Sequence, residues 1–386
     1  MLESNLQQLV AVHLSLFFYH LFLNPLRKFP GPKLDAISQL VWSYHLVKGD
    51  SAKYISSLHE KYGDIVRTAS NELSFTTASA WKEIYGNKVG WENVYEKNGV
   101  VYLQGNQQTS NIFFALSKPH SRLRKLLAPA FSERAVREQE YLIRECIDQF
   151  MTSLRKRTGH AYFPSEEGVV DMGAWFNFET FDILTSLTFG APIGSLESGN
   201  YHPWVSVIYG AIKHSTLTQA AHRLRPYHKI LERFIPGDME RQYETHLMNC
   251  ARTIKSRMAK PDKERRDILS SILDELDYDE LLDNVNIIVT AGGDATATTM
   301  TSVVYYLTHN AHAYEALVKE IREAFETEDD ITSSAVAKLR YLKAVIDETL
   351  RIHPSVPVGL PRIVPKGGRF IDGEFVPGGV SIPLNI

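Results

Sequence analysis

Cysteine is almost missing from this chain: two residues, Cys146 and Cys250, among 386. That excludes a disulfide framework and a cysteine-rich metal centre, and a reduced compartment fits best. The Asn-x-Ser/Thr glycosylation signal does not occur, in line with the same side of the membrane. No charge of one sign dominates. Lys and Arg number 42 against 45 Asp and Glu, for a net charge of −3, so no nucleic-acid partner is expected. Internal repeats, a Gly-rich phosphate loop, a serine nucleophile elbow and a His-Glu-x-x-His pair are all lacking, which removes support for those enzyme classes.

What is there is a long apolar run from Asp279 to His309. Its acidic start suits a helix N-terminus, where the dipole favours negative charge. Apolar residues then fill most positions, as in a helix buried nearly all round. Gly292, Gly293 and Asp294 sit in the middle, where a plain core helix would not place them. Two glycines cost about 2 kcal/mol against alanine, and a buried carboxylate is costly unless paired. Two readings follow. The glycines can open a gap beside one continuous helix, where Asp294, Thr296 and Thr298 handle protons next to a ligand. Alternatively, Gly292 ends one helix and Asp294 caps a second.

At the front, residues 6–23 are mostly apolar but include His13, Ser15 and His20. A bilayer span needs about 20 apolar residues. The stretch is just adequate, so residues 1–23 are expected to form a single N-terminal membrane anchor. The alternative is a helix packed on the domain. Arg27, Lys28 and Lys33 follow, which keeps the domain cytosolic by the positive-inside rule. Phe29-Pro30-Gly31-Pro32 makes a stiff extended connector, and residues 24–50 read as hinge and linker before a domain over 51–386.

Along that domain, helices are expected at residues 51–62, 79–85 (capped by Ser79), 118–127, 171–189, 243–258, 313–325 and 339–352. A long one, capped by Ser132, reaches Arg157. An irregular helical stretch interrupted by Pro226 covers 202–234. Residues 65–68 and 73–77 read as a hairpin, and prolines divide the end into short strands at 360–364, 370–375 and 380–384. Residues 86–109 are a candidate mobile loop over a ligand site. The fold class is therefore mainly α with a small β-sheet. His120 and Arg124 share a helical face with Arg122 and Lys125 nearby, either as an anion clamp or as a solvated basic face. Glu348 and Arg351 are spaced to pair.

The ordered set of these motifs resembles a microsomal cytochrome P-450, a haem-thiolate monooxygenase of the kind common in fungal secondary metabolism. The resemblance runs nearly end to end. It is carried by Asn24 to Pro32, Lys61-Tyr62-Gly63-Asp64-Ile65-Val66-Arg67, His120-x-Arg122-x-Arg124, Ala291-Gly292-Gly293-Asp294, Glu348-Thr349-Leu350-Arg351 and Leu360-Pro361-Arg362. It implies a haem lying against the central helix, with Gly292 and Gly293 leaving room for dioxygen and Asp294 with Thr296 serving catalysis. It further implies that His120, Arg124 and Arg362 hold the haem propionates, while Glu348 and Arg351 form a buried structural pair. The implied reaction inserts one oxygen atom from O2 into an apolar small molecule, with electrons from an NADPH-dependent reductase that docks near Arg122 and Lys125. The implied location is the endoplasmic reticulum membrane.

Two departures accompany the resemblance. Ala295 stands where the family carries a threonine, and Thr296 lies one step on, rotated by about 100°, which implies poor coupling of oxygen use. The family's haem-ligating cysteine follows the helix of Glu348, yet no cysteine lies beyond Cys250. The expectation is therefore that the axial cysteine is not in this chain and that its activity is impaired. The rival is a non-catalytic, membrane-anchored remnant that binds an apolar ligand or partner.

Overall fold

A computed structural model describes residues 2–86, 90, 93–102, 111–158, 169–259, 267–273 and 275–385. Most of the expected loops at 86–109 and 261–267 lie outside the described residues. Among the described residues, twelve longer helices carry the fold. They are α1 (Leu2–Phe18), α2 (Leu40–Lys48), α3 (Ser51–Tyr62), α4 (Ala78–Tyr85), α5 (Ser117–Leu127) and α6 (Glu140–Thr158), then α7 (Met172–Phe189), α8 (Pro203–Arg223), α9 (Gly237–Met258), α10 (Tyr278–Thr308), α11 (Ala311–Ala324) and α12 (Arg340–Ile352).

Helix α10 organises the rest. Asp277 caps it by accepting from the Glu280 N–H at 2.9 Å, with Asp279 and Glu280 completing an acidic first turn. It runs unbroken through Gly292 and Gly293, so the two-helix reading is excluded. Buried Leu281, Val285, Val289, Gly293 and Ala297 recur at a spacing of four, which lines one side of a helix. That stripe packs against α7, whose Phe181 belongs to the same core. Helices α8 and α9 pack on each other and α9 on α10.

The expected hairpin is present as β1 (Ile65–Ala69) and β2 (Glu72–Phe75), antiparallel with Ile65 opposite Phe75. The remaining strands are β3 (Glu96–Lys97), β4 (Arg362–Ile363), β5 (Arg369–Ile371), β6 (Glu374–Val376) and β7 (Ser381–Ile382). A five-stranded sheet has the order β1-β2-β7-β4-β3, parallel between β2 and β7 and antiparallel elsewhere. It joins the front of the chain to its last described residues, around a core of Leu73, Phe75, Val364 and Ile382. The strand expected over 370–375 is instead the β5–β6 hairpin. Asp372 and Gly373 both adopt positive φ at its tip, as a tight two-residue turn requires.

Several boundaries differ for local reasons. Thr77, not Ser79, caps α4, accepting from the Ala80 N–H at 3.2 Å. Ser132 caps only the short helix Glu133–Glu138, and Gln139 breaks the chain before α6 begins. The Phe29–Pro32 connector is extended but docked: Leu26 and Phe29 are buried, and the Arg67 N–H donates to the Pro30 carbonyl at 2.7 Å. Gly31 is needed there, because a Cβ would collide with the Arg67 carbonyl.

The expected transmembrane anchor is not found. Among the described residues no helix is long and apolar enough to cross a membrane. Seventeen residues of α1 rise only about 25 Å at 1.5 Å each, and Gln7, Gln8, His13 and Ser15 interrupt its apolar surface. Val10, Val12, Leu14, Phe18, Phe22 and Leu23 remain exposed in and after this helix. His13 meets the domain through a 2.8 Å hydrogen bond with the Tyr227 hydroxyl.

Candidate functional site: an apolar cavity beside a cationic cluster

A cavity of about 620 Å³ lies between α2, α3, α8, α9, α10 and the inner end of the five-stranded sheet. Its volume falls in the range of small-molecule sites. Trp42, Ile55, Val101, Phe114, Ile287 and Val358 are among its walls, and among the described residues no Asp or Glu lines it. The stretch read from the sequence as lying over a ligand site contributes Val101 and Tyr102, and the irregular helical stretch over 202–234 contributes residues between Ala211 and Gln219. The cavity reaches α10 at Asn286, Ile287 and Thr290, ahead of the glycine pair.

Along one rim, where Tyr102, Phe113 and Pro361 line the cavity, four basic side chains converge. His120 and Arg124 come from α5, Arg362 from β4 and Lys97 from β3. Antiparallel pairing sets Lys97 directly opposite Arg362. Burial lowers the pKa of His120, and the charges of Lys97, Arg124 and Arg362 lower it further, so its imidazole is neutral. Burial and the nearby Arg362 bring Lys97 down to about 8, although Glu96 opposes this. The Lys97 ammonium donates to the carbonyls of Ile112 and Phe113 at 3.3 and 2.5 Å. The neighbouring acid, Glu96, is occupied at the start of α5, where it accepts from the Ser117 N–H and hydroxyl. Among the described residues Arg124 and Arg362 have no carboxylate partner.

Basic groups gathered at a cavity rim, two of them arginines with no carboxylate partner among the described residues, fit a ligand bearing two carboxylates, such as the propionates of haem. His120, Arg124 and Arg362 were each legible as candidates. Lys97 was not, because a two-residue strand inside an irregular stretch has no periodicity to reveal it. The neighbouring Arg122 ion-pairs with Glu280.

The remaining candidates are placed differently from what the resemblance implies. Gly292 and Gly293 do not open space. A Cβ on Gly292 would stand 2.7 Å from Leu184 Cδ1, and one on Gly293 2.8 Å from the Phe181 ring. The glycines let α7 and α10 approach closely. Asp294 accepts a 2.8 Å hydrogen bond from the Tyr209 hydroxyl of α8, which also lies 3.1 Å from Asn177 Oδ1. Thr296 is exposed and donates to the Gly292 carbonyl at 3.2 Å. Two residues along a helix rotate a side chain by about 200°, so Asp294 and Thr296 face different neighbours. The helix is not distorted there, and Thr296 does not take the place of Ala295.

Glu348 and Arg351 do pair, with two hydrogen bonds of 2.7 Å. The pair is exposed, however, with 55% and 70% of the two side chains accessible. The expectation of a buried pair is corrected: both side chains are solvent-exposed on α12.

Neither cysteine is placed to ligate iron. Cys146 packs with Phe150, Trp175 and Phe176, and Cys250, on α9, is fully buried. Burial pushes their thiols up to about 11 and about 12, whereas a metal ligand must be thiolate. The cationic rim therefore fits the haem carboxylates, while the axial sulfur does not come from either described thiol.

A mainly helical domain with a short mixed sheet, an apolar cavity and a propionate-type cationic rim defines the architecture of a haem monooxygenase. A profile of the cytochrome P-450 family matches residues 30–386, and the chain belongs to that family. It is 53% identical to the cytochrome P-450 monooxygenase lnbC of Aspergillus flavus, over 97% of this chain and 75% of that protein. It is 44% identical to the cytochrome P-450 monooxygenase FrzC of Cladobotryum sp., over 97% and 76%. With astA of Talaromyces wortmannii, another monooxygenase of the family, the identity is 36% over 97% and 75%.

Proposed function

We propose that this chain is built to hold an apolar small molecule for insertion of one oxygen atom from O2, in the secondary metabolism of a fungus. The observation that carries this reading is the cavity of about 620 Å³ with Lys97 and Arg362 beside its lining residues Phe113, Tyr102 and Pro361, and His120 and Arg124 close to those two charges. Those four residues would hold the haem carboxylates. The haem, when bound, supplies the oxygen chemistry. The chain itself excludes water with apolar walls and orients the substrate.

The reaction class calls for electrons from an NADPH-dependent reductase, and the exposed Lys125 beside Arg122 offers it a basic surface. Reversing the charge at Lys125 then weakens reductase binding; unchanged affinity would remove this docking surface. The exposed apolar residues of α1 support association with the endoplasmic reticulum membrane, with the domain on the cytosolic side. Because neither buried thiol lines the cavity, neither supplies a sulfur ligand to the iron, and oxygen insertion by the residues present is impaired. The same observation favours a second reading, a membrane-associated binder of apolar ligands that performs no chemistry.

One experiment separates these readings. Haem is added to the purified full chain, reduced and exposed to carbon monoxide. Uptake with a non-thiolate Soret band, lost in an Arg124→Glu/Arg362→Glu variant, is expected. A thiolate-type band overturns the impairment, and absence of any haem uptake favours the non-catalytic binder.

A further inference from the structure

A second cavity, of about 320 Å³, lies between the end of α7, the loop after it, the start of α8 and the last turns of α9. It shares no lining residue with the large cavity. Phe189, Pro192, Ile193 and Trp204 form its apolar side. The polar side comes from α9, where Asn249, Arg252, Thr253 and Ser256 follow at spacings of three, one and three. That spacing sets them along one helical face. Trp204 stands between the two cavities: it lines this one, and its indole N–H donates at 2.8 Å to His246, which lines the other.

Several hydrogen-bond directions in the lining are fixed. The Thr253 hydroxyl donates to the Asn249 carbonyl at 2.9 Å. His202 Nδ1 accepts from the Trp204 backbone N–H at 3.2 Å, so the ring carries its hydrogen on Nε2 and offers a donor there. Arg257 is spent on the buried Asp267, 2.6 Å from its Nε, and on Ser270 Oγ at 3.0 Å. Among the described residues no Asp or Glu lines the pocket, and Arg252 has no carboxylate partner. Cations offset the negative end of a helix within its last turn, and Lys255 and Arg257 already do so on α9. Arg252 lies more than a turn before Met258, so the helix end does not account for it. A surface arginine held only by water gives no reason for an acid-free pocket with an apolar side.

We propose that this pocket is a binding site for a small aromatic monocarboxylate. Its ring lies against Phe189, Ile193 and Trp204, and its carboxylate takes the Arg252 guanidinium, with Asn249 and His202 as further donors. The volume is at the low end for small-molecule sites. One unpaired guanidinium matches a single negative charge, which favours a carboxylate over a doubly charged phosphate.

The test is isothermal titration calorimetry of the full chain at pH 7 with 2-naphthoate and its neutral counterpart of the same shape, 2-naphthamide. Naphthoate is expected to bind roughly tenfold more tightly. Arg252→Gln removes that preference by deleting the charge, and Ala191→Trp removes it by filling the pocket from a lining position. Arg252 and Ala191 are both exposed, so neither substitution disturbs the core. The Arg124→Glu/Arg362→Glu variant keeps the preference, because the rim of the large cavity takes no part. Equal binding of the two probes, or no binding of naphthoate, overturns the proposal. A preference that survives Arg252→Gln or Ala191→Trp overturns it as well. A preference lost in the rim variant assigns the carboxylate to the large cavity and likewise overturns it.

Discussion

Arg223 Nη1 lies 3.1 Å from Glu72 Oε2, with only 4% and 1% of the two side chains exposed. The pair ties the end of α8 to β2. The Arg223 guanidinium lies 3.4 Å over the Trp42 ring, and Ser381 and Thr68 donate to the Glu72 carboxylate. Removing one partner of such a pair leaves a buried charge uncompensated, at a cost of about 3–5 kcal/mol. Glu72→Gln should therefore sharply lower the urea midpoint, and Glu72→Met/Arg223→Met should recover much of the loss. Glu348→Gln, at the exposed pair, should leave the midpoint within error. If the two single substitutions prove equally damaging, the assignment of the buried pair is wrong.

Gly293 and Gly292 should respond differently to alanine. The Cβ at 293 meets the buried Phe181 ring, which cannot swing away, while the Cβ at 292 meets the end of the flexible Leu184 side chain. Overpacking costs about 1–3 kcal/mol, so Gly293→Ala should destabilise and Phe181→Leu should partly relieve it. Gly292→Ala should be close to neutral, because about 1 kcal/mol of helix propensity offsets the crowding. A double-mutant cycle on Gly293 and Phe181 checks the coupling; purely additive effects would disprove the contact.

Lys97 provides a pH test of the cationic rim. Its folded pKa of about 8 lies below the ordinary 10.5, so the unfolded chain binds more protons between those values. Its contribution therefore stabilises the fold as pH rises from about 8 toward 10.5. Unfolding curves at pH 7.5 and 10 should show this gain in the native sequence but not in Lys97→Met. Loss of the Lys97 charge near pH 8 should also weaken haem uptake there.

Glu179 carries the opposite sign. It is buried in α7, one carboxylate oxygen has no hydrogen-bond partner, and burial raises its pKa from 4.5 to about 7. Its share of stability is full below about pH 4.5 and is lost as pH rises to about 7. Glu179→Gln should abolish that loss and stabilise the protein at pH 8 by up to about 3 kcal/mol. The difference in thermal midpoint between the two proteins, followed from pH 5 to 8, measures it. A constant difference would show that Glu179 does not titrate there.

Helices α3, α5, α7 and α12 and the β1–β2 hairpin were legible because apolar spacing and turn residues are local properties, while α10 was open between one helix and two. The linear order of motifs was sufficient to indicate the family. The basic face of His120 and Arg124 was visible too, but whether it stayed solvated or gathered round a ligand depended on strand β4 bringing Arg362 beside it. The sequence also could not say what fills the room left by a glycine. Gly292 and Gly293 looked like a gap, yet side chains of α7, more than a hundred positions earlier, occupy it. Ion pairing shows the same division. Spacing of three paired Glu348 with Arg351, but which of the chain's pairs lies dry is decided by layers that only the folded chain stacks. Glu72 and Arg223, far apart along the chain, are sealed between α8 and the sheet. Local pattern specified the elements; long-range packing chose which faces, charges and cavities they enclose.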